Sequence, residues 1–200
     1  MKAEQVEKAR AVNDSKYRKV AGALVFAVTT QFAIVMIVAE SLYRYYSVAN
    51  NYISDLGVGP TGPVFDTSVS ILGISVIVAS YLSYKIFESR IFLILVALTG
   101  IGALSVGIFN ESYSGIHGLV SLLTFVAGSL TSIYAFRFTK SPMNYFSIMM
   151  GLFSLGALAV ALSGSTAGLG VGGIERMIAY PYTLWGIAFG GYLMGSSQQK

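Results

Sequence analysis

Six apolar runs, separated by short polar links whose positive charges fall almost entirely on one side, leave few folds open to this chain. The runs cover roughly residues 20–39, 67–84, 91–109, 116–136, 145–163 and 177–194. Each is close to the ~20 residues a helix needs to cross the hydrocarbon of a bilayer. Lys2, Lys8, Arg10, Lys16, Arg18 and Lys19 precede the first run, Lys85 and Arg90 separate the second from the third, Arg137 and Lys140 separate the fourth from the fifth, and Lys200 ends the chain. These are eleven of its thirteen Lys and Arg residues, and by the positive-inside rule they place both termini and two short links in the cytoplasm. The expected fold is therefore all-α: a polytopic, six-transmembrane-helix bundle in the plasma membrane, with cytoplasmic N- and C-termini.

Composition supports one membrane domain and no other. Of 200 residues, 54% are hydrophobic and 11% charged, whereas a soluble domain usually carries about 25% charged residues. The longest link, residues 40–66, is too short to hold a second core. Residues 1–19 form a basic segment without glycine or proline that can extend the first helix, residues 20–195 form the membrane domain, and residues 196–200 form a short tail. A full-length apolar run after residues 1–19 reads as a retained anchor rather than a signal peptide. The absence of cysteine removes disulfides, thiolate metal sites, iron–sulfur clusters and a cysteine nucleophile. The formal charge of +4 suits anionic lipid heads at the cytoplasmic leaflet, and nucleic acid is not an expected partner.

Tyrosines flank the runs as interfacial belts: Tyr43, Tyr45, Tyr46, Tyr52, Tyr113, Tyr180 and Tyr182 on the outer side, with Tyr17, Tyr81, Tyr84, Tyr134 and Tyr145 on the inner. Gly186 with Gly190, and Gly191 with Gly195, are small-xxx-small pairs that let another helix approach closely. They serve either packing within the bundle or a homo-oligomer or complex-subunit seam. Residues 102–106 and 156–160 echo each other as Gly-Ala-Leu-Ser/Ala-Val, each after a hairpin with an aromatic-basic elbow, as in two similar hairpins.

The same topology gathers the remaining polar residues at the outer face. Asn51, Ser54 and Asp55 follow the first run beside a Gly57 to Pro63 turn region, where Ser54 or Asp55 can cap a short interfacial turn or present polar groups to the bundle mouth. Asp66 opens the second run, where the helix dipole favours a carboxylate. Asn110 and Glu111 end the third run, and His117 opens the fourth. Glu175, Arg176, Tyr180, Pro181 and Trp185 open the sixth after a glycine-rich stretch, residues 164–173, read as a flexible loop. Arg176 is expected to pair with a carboxylate from another helix, Asp55 first, because a guanidinium near the membrane prefers such contacts. Pro181 frees helix carbonyls that can line a cavity. The principal candidates for a ligand site are thus Asn51, Ser54, Asp55, His117, Glu175 and Arg176, with Asp66, Asn110, Glu111, Tyr180 and Trp185 secondary. They are expected to converge on one outward-opening pocket.

One histidine excludes a bis-histidine haem and a histidine-built zinc site. Asp55, Asp66, Glu111 and His117 can be drawn around a hard cation, but their spacing matches no motif, so no metal and no cofactor is assigned. Ser54, Asp55 and His117 make a triad on paper without a nucleophile elbow to support it.

Three segments together, Asn51-Tyr-Ile-Ser-Asp-Leu-Gly57, Gly107-Ile-Phe-Asn-Glu111 leading to His117-Gly118, and Gly173-Ile-Glu-Arg-Met-Ile-Ala-Tyr-Pro181 leading to Trp185, resemble the six-span membrane family known as domain of unknown function 998, common in archaea and bacteria. The resemblance runs from about residue 20 to residue 193. A phenylalanine-containing helix end followed by a histidine is more distantly similar to the Frag/Dram/Sfk family. The resemblance implies a six-helix fold and a polar outer site at Asn51, Ser54, Asp55, His117, Glu175 and Arg176, and it implies no activity. Three classes of function stay open: a lipid- or small-ligand-binding or accessory membrane component, a membrane-embedded enzyme acting on lipid headgroups or lipid-linked substrates, and a small-molecule transporter. Mid-membrane polarity is limited mainly to Gln31, Ser75, Thr99, Ser105 and Ser129, which weighs against ion-coupled transport.

Overall fold

The computed structural model describes residues 2–197, with side chains from Val12 onward. Residues 198–200 of the tail and the side chains of Lys2, Lys8 and Arg10 lie outside the described residues. Six long helices follow one another: α1 (Lys2–Leu42), α2 (Gly62–Phe87), α3 (Arg90–Ile108), α4 (Ser114–Tyr134), α5 (Met143–Leu162) and α6 (Gly170–Ser196), with short 3-10 turns at Ser54–Gly57, Glu111–Tyr113 and Ala135–Phe138. No strand occurs among the described residues. The basic leader and the first apolar run share one uninterrupted helix.

Local chemistry sets several of the boundaries. Pro63 stands in the first turn of α2, where its missing N–H costs nothing. Glu88 takes a left-handed conformation that stops α2, and the Ser89 hydroxyl caps α3 by accepting from the Phe92 N–H at 3.3 Å. That two-residue link forces α2 and α3 to lie side by side and antiparallel. Each later helix packs on its predecessor, and α6 returns to α1, so the six close into a ring in chain order. Helix α4 also touches α6, which makes α4, α5 and α6 a mutually packed triangle.

Five of the helices are long and apolar enough to cross a membrane. Helix α6, at 27 residues, is long enough but not apolar enough, because its glycines, tyrosines and the Glu175-Arg176 pair dilute it. The sixth of the expected spans, residues 177–194, falls in this less apolar helix. The physical reason is burial: α6 packs against α1, α5 and α4 and buries residues along its whole length, so protein rather than lipid covers it.

Close helix contacts rest on small residues. A Cβ on Gly22 of α1 would lie 2.6 Å from the Gly190 carbonyl oxygen of α6, and one on Gly190 would lie 2.6 Å from the Phe26 nitrogen. Gly186 meets Thr29 of the same helix. Gly186 and Gly190 are therefore used inside the bundle, whereas Gly191 and Gly195 face open space. Gly102 abuts Thr124 but Gly156 meets nothing, so the echoed segments are not packed alike. The triangle is joined by hydroxyls: Ser129 meets Ser154 at 2.6 Å, Ser154 donates to the Ile178 carbonyl at 2.6 Å, and Ser132 donates to the Ser147 carbonyl at 2.7 Å. Such bonds replace the hydrophobic drive that helices lose in lipid. Ile178 lies next to Met177, whose carbonyl Pro181 deprives of its amide partner.

The two ends of the ring differ. At one, here the basic end, Lys85, Arg137 and Arg18 lie over Tyr81, Tyr134 and Phe87. There Ser15 of α1 donates to the Ser197 carbonyl beyond α6 at 2.8 Å. The other, polar, end carries the 43–61 connection and the short links after α3 and α5.

Candidate ligand site at the polar end

Glu175 and Arg176 are consecutive on α6, about 100° apart around its axis, and they face different neighbours. Arg176 points toward α1 and is 2% exposed. Its Nη2 meets Glu40 Oε1 of α1 at 2.5 Å and donates to the Tyr46 hydroxyl at 2.7 Å. Its Nη1 donates to the carbonyls of Val48 at 3.1 Å, Asn51 at 3.3 Å and Gly172 at 2.9 Å, and only Nε is left without a partner. The expected pairing with Asp55 is thus corrected. The ring sets α6 beside α1, and Glu40 in the last turn of α1 stands level with Arg176.

Tyr46 completes this clamp by donating to the Tyr52 carbonyl at 2.8 Å, and burial pushes its hydroxyl up to about 12, so it remains a donor at neutral pH. Tyr180 stands in the same electrostatic neighbourhood of Arg176 and Glu40. Gly170 and Gly172 are the first turn of α6 rather than a loop: a Cβ on Gly172 would collide with the Asn51 carbonyl, and the Gly172 N–H donates to Ala49 O at 2.9 Å. Glycine lets the 43–53 backbone lie directly on the helix start, within reach of Arg176.

Asn51 and Asp55 belong mainly to the turn itself. The Asn51 amide donates to Asp55 Oδ2 at 2.8 Å, the Tyr52 N–H donates to the same oxygen at 3.0 Å, and Ser47 N–H donates to Asn51 Oδ1 at 3.0 Å. Asp66 and Asn110 tie α2 to the link after α3. The Asn110 amide donates to Asp66 Oδ2 at 3.0 Å and to the Gly57 carbonyl at 3.1 Å, while Asp66 Oδ1 is buried without a partner. Glu111 lies beside Ser54 and within electrostatic reach of Asp55. Among the described residues no three His, Cys, Asp or Glu side chains are placed to hold a metal ion. The hard-cation arrangement drawn from Asp55, Asp66, Glu111 and His117 is therefore not formed: Asp66 is taken by Asn110, and Asp55 by Asn51.

Glu175 faces the interior of the ring, where its carboxylate accepts from the Ile53 N–H. It lines a cavity of about 130 Å³ together with Ser54 and His117 at the polar end and Ser83, Phe92 and Phe189 at the basic end. The wall between is almost wholly apolar. His117 is oriented by two contacts: its Nδ1 faces the Phe109 carbonyl at 2.8 Å and donates to it, and its Nε2 lies 3.2 Å from the Ser121 hydroxyl. A second cavity of about 380 Å³ opens between α4, α5 and α6, and Ser121, Phe125 and Glu175 line both. Trp185, expected near the mouth, lies nine residues below Arg176, about 13 Å down the helix. There it lines the first cavity, stacks on Phe189 and donates to Ser147 at 2.8 Å.

The single shared pocket is thus divided: Ser54, His117 and Glu175 line the cavity, Arg176 and Asn51 build the clamp, and Asp55 braces the turn between them. Three contributors were not singled out from the sequence as site residues. Glu40 carried a signal, a charge in the last turn of an apolar run. Tyr46 read as a belt residue. Tyr182 lines the cavity two turns below Glu175, with Gly128 of α4 leaving room for its ring.

A family model described as protein of unknown function (DUF998) matches residues 20–192. The chain belongs to this family. The matched DUF998 region takes in part or all of each of the six helices and every residue of the clamp and the cavity, and leaves outside residues 1–19 and 193–200. Neither the curated proteins nor the solved structures yield a match.

Proposed function

We propose that this DUF998 protein is a six-span protein of the plasma membrane, with both termini cytoplasmic, that holds the apolar chain of an amphiphile along its axis and the polar head near Ser54, His117 and Glu175. The observation that carries the reading is the shape of the first cavity. Its lining follows α2 from Phe65 to Ser83, eighteen residues or about 27 Å at the helical rise, nearly the ~30 Å hydrocarbon thickness of a bilayer. A long, narrow, apolar space with polar groups at one end complements an extended acyl or isoprenoid chain rather than a compact solute.

Packing at the basic end favours a binder over a conduit. Phe87 stacks on Phe138 with centroids 4.4 Å apart, Phe92 sits 5.2 Å from Phe138, and Phe92 and Phe189 pack edge to face. These rings stand between the cavity and the basic links. The enzyme reading gains less, because the guanidinium it needs to hold an anionic group is spent on Glu40, Tyr46 and three carbonyls.

Native mass spectrometry of the full chain released from detergent is expected to retain one amphiphile per protein, and Val76→Trp, which fills the cavity at mid-depth, is expected to lose it while keeping its helical circular dichroism. Equal retention by both proteins, or none by the parent, contradicts the reading. For orientation, a cysteine at position 112 should react with an impermeant thiol reagent in intact cells and one at position 141 should not; the reverse pattern inverts the topology.

A further inference from the structure

From the lining of the two cavities we infer the chemistry of the head: it is a protonated amine, seated in the groove between α4, α5 and α6 against the Glu175 carboxylate. This rests on the axial cavity being an amphiphile site. The groove, about 380 Å³, joins the polar end of that cavity through Ser121, Phe125 and Glu175, and the rest of its polar lining is hydroxyl: Tyr52, Ser165 and Thr166. No lysine or arginine lines either cavity. The nearest buried cation, Arg176, has four N–H···O contacts to backbone and tyrosine and one to Glu40, and points away toward α1.

Glu175 is the one carboxylate that lines these two cavities among the described residues. Glu175 is enclosed by protein, yet it keeps accessible surface because it faces the cavities, and Asp55 and Glu111 stand near enough to interact with it electrostatically. The His117 Nδ1–H is spent on the Phe109 carbonyl. A phosphate or carboxylate head would meet the Glu175 carboxylate and no lysine or arginine of the lining, whereas an ammonium donates to Glu175 and to the hydroxyls around it.

A second observation concerns the axial cavity, which Glu175 also lines. Tyr182 is half-buried and lines the axial cavity, and its hydroxyl has no hydrogen-bond partner among the described residues. Side chains on a helix lean toward its N-terminus, which carries this hydroxyl toward Glu175, whose charge it senses. A phenol that faces the cavity without a partner in the protein is free to meet a bound ligand.

The test uses the full chain in a neutral detergent and three probes of equal saturated chain length: a primary amine, the alcohol and the fatty acid. The amine is expected to bind at least about tenfold more tightly than the fatty acid, the difference a like-charge contact imposes. Glu175→Gln, which keeps an acceptor for the Ile53 N–H, should bring the amine down to the affinity of the alcohol for the same variant. A fatty acid that binds as tightly as the amine, or an amine preference that survives Glu175→Gln, overturns the assignment and leaves the cavity reading standing. If none of the three binds, the cavity reading itself fails and the assignment falls with it.

Discussion

Two adjacent residues of α6 have opposite fates. Arg176 is spent on the protein: Glu40, Tyr46 and three carbonyls close around it, and its work is to pin the 43–53 connection and the end of α1 to the start of α6. Glu175, one position earlier, has a single partner, a backbone N–H, and faces empty space on two sides. In lipid a charged side chain is kept only where something compensates it. For Arg176 the compensation is present in the fold, so it reads as structural. For Glu175 it is not, and that difference separates the clamp from the candidate site.

The largest effect should come from breaking the clamp. Arg176→Ala leaves Glu40 without its partner and frees the Val48 and Asn51 carbonyls of the connection; losing one member of a buried pair costs about 3–5 kcal/mol, read as a large fall in melting temperature. A melting temperature like that of the parent would erase the distinction between the two residues. Gly172→Ala probes the same clamp through the backbone, because its methyl would displace the Asn51 carbonyl from the helix. Overpacking of this kind costs about 1–3 kcal/mol, and the loosened 43–53 segment should become more sensitive to protease. Full retention of stability and protection would show that the connection is not held on α6. The smallest effect, with the opposite sign, belongs to Glu175→Gln. The substitution keeps an acceptor for the Ile53 N–H and removes a charge that burial disfavours, so stability in the ligand-free protein should rise by on the order of 1 kcal/mol. A marked loss would place Glu175 in the structural class with Arg176.

Much of the fold is legible in the residues, for reasons that mark what is not. Helix positions follow from apolar length alone, and the basic links from charge. Which helices become neighbours does not, and that is why Asp55 looked the better partner for Arg176. Glu40 is far from Arg176 in sequence and meets it only because α6 closes the ring against α1. The Gly170 and Gly172 turn likewise looks like loop composition until a backbone segment is seen lying on it, since glycine serves both flexibility and close approach. The depth of Trp185 was available from counting: nine residues at the helical rise carry it away from the mouth. Tyr182 left no local trace, because a tyrosine near a membrane boundary reads as an interfacial anchor unless a cavity is known to face it.

Trp185 also supplies the most direct test. It is the one tryptophan in the chain, it is 6% exposed, and it lines the axial cavity far below the polar end. In full-length protein in detergent, a long-chain amphiphile brominated near its tail terminus should quench Trp185 fluorescence saturably at one molecule per chain, and excess unbrominated analogue should reverse it. Val76→Trp adds a second fluorophore, so Val76→Phe is the filled-cavity control here and should abolish saturable quenching. Quenching that rises linearly with the brominated compound, is not reversed by its analogue and is the same in Val76→Phe would mean that the chain reaches Trp185 only from the surrounding detergent, and that the axial cavity holds no ligand.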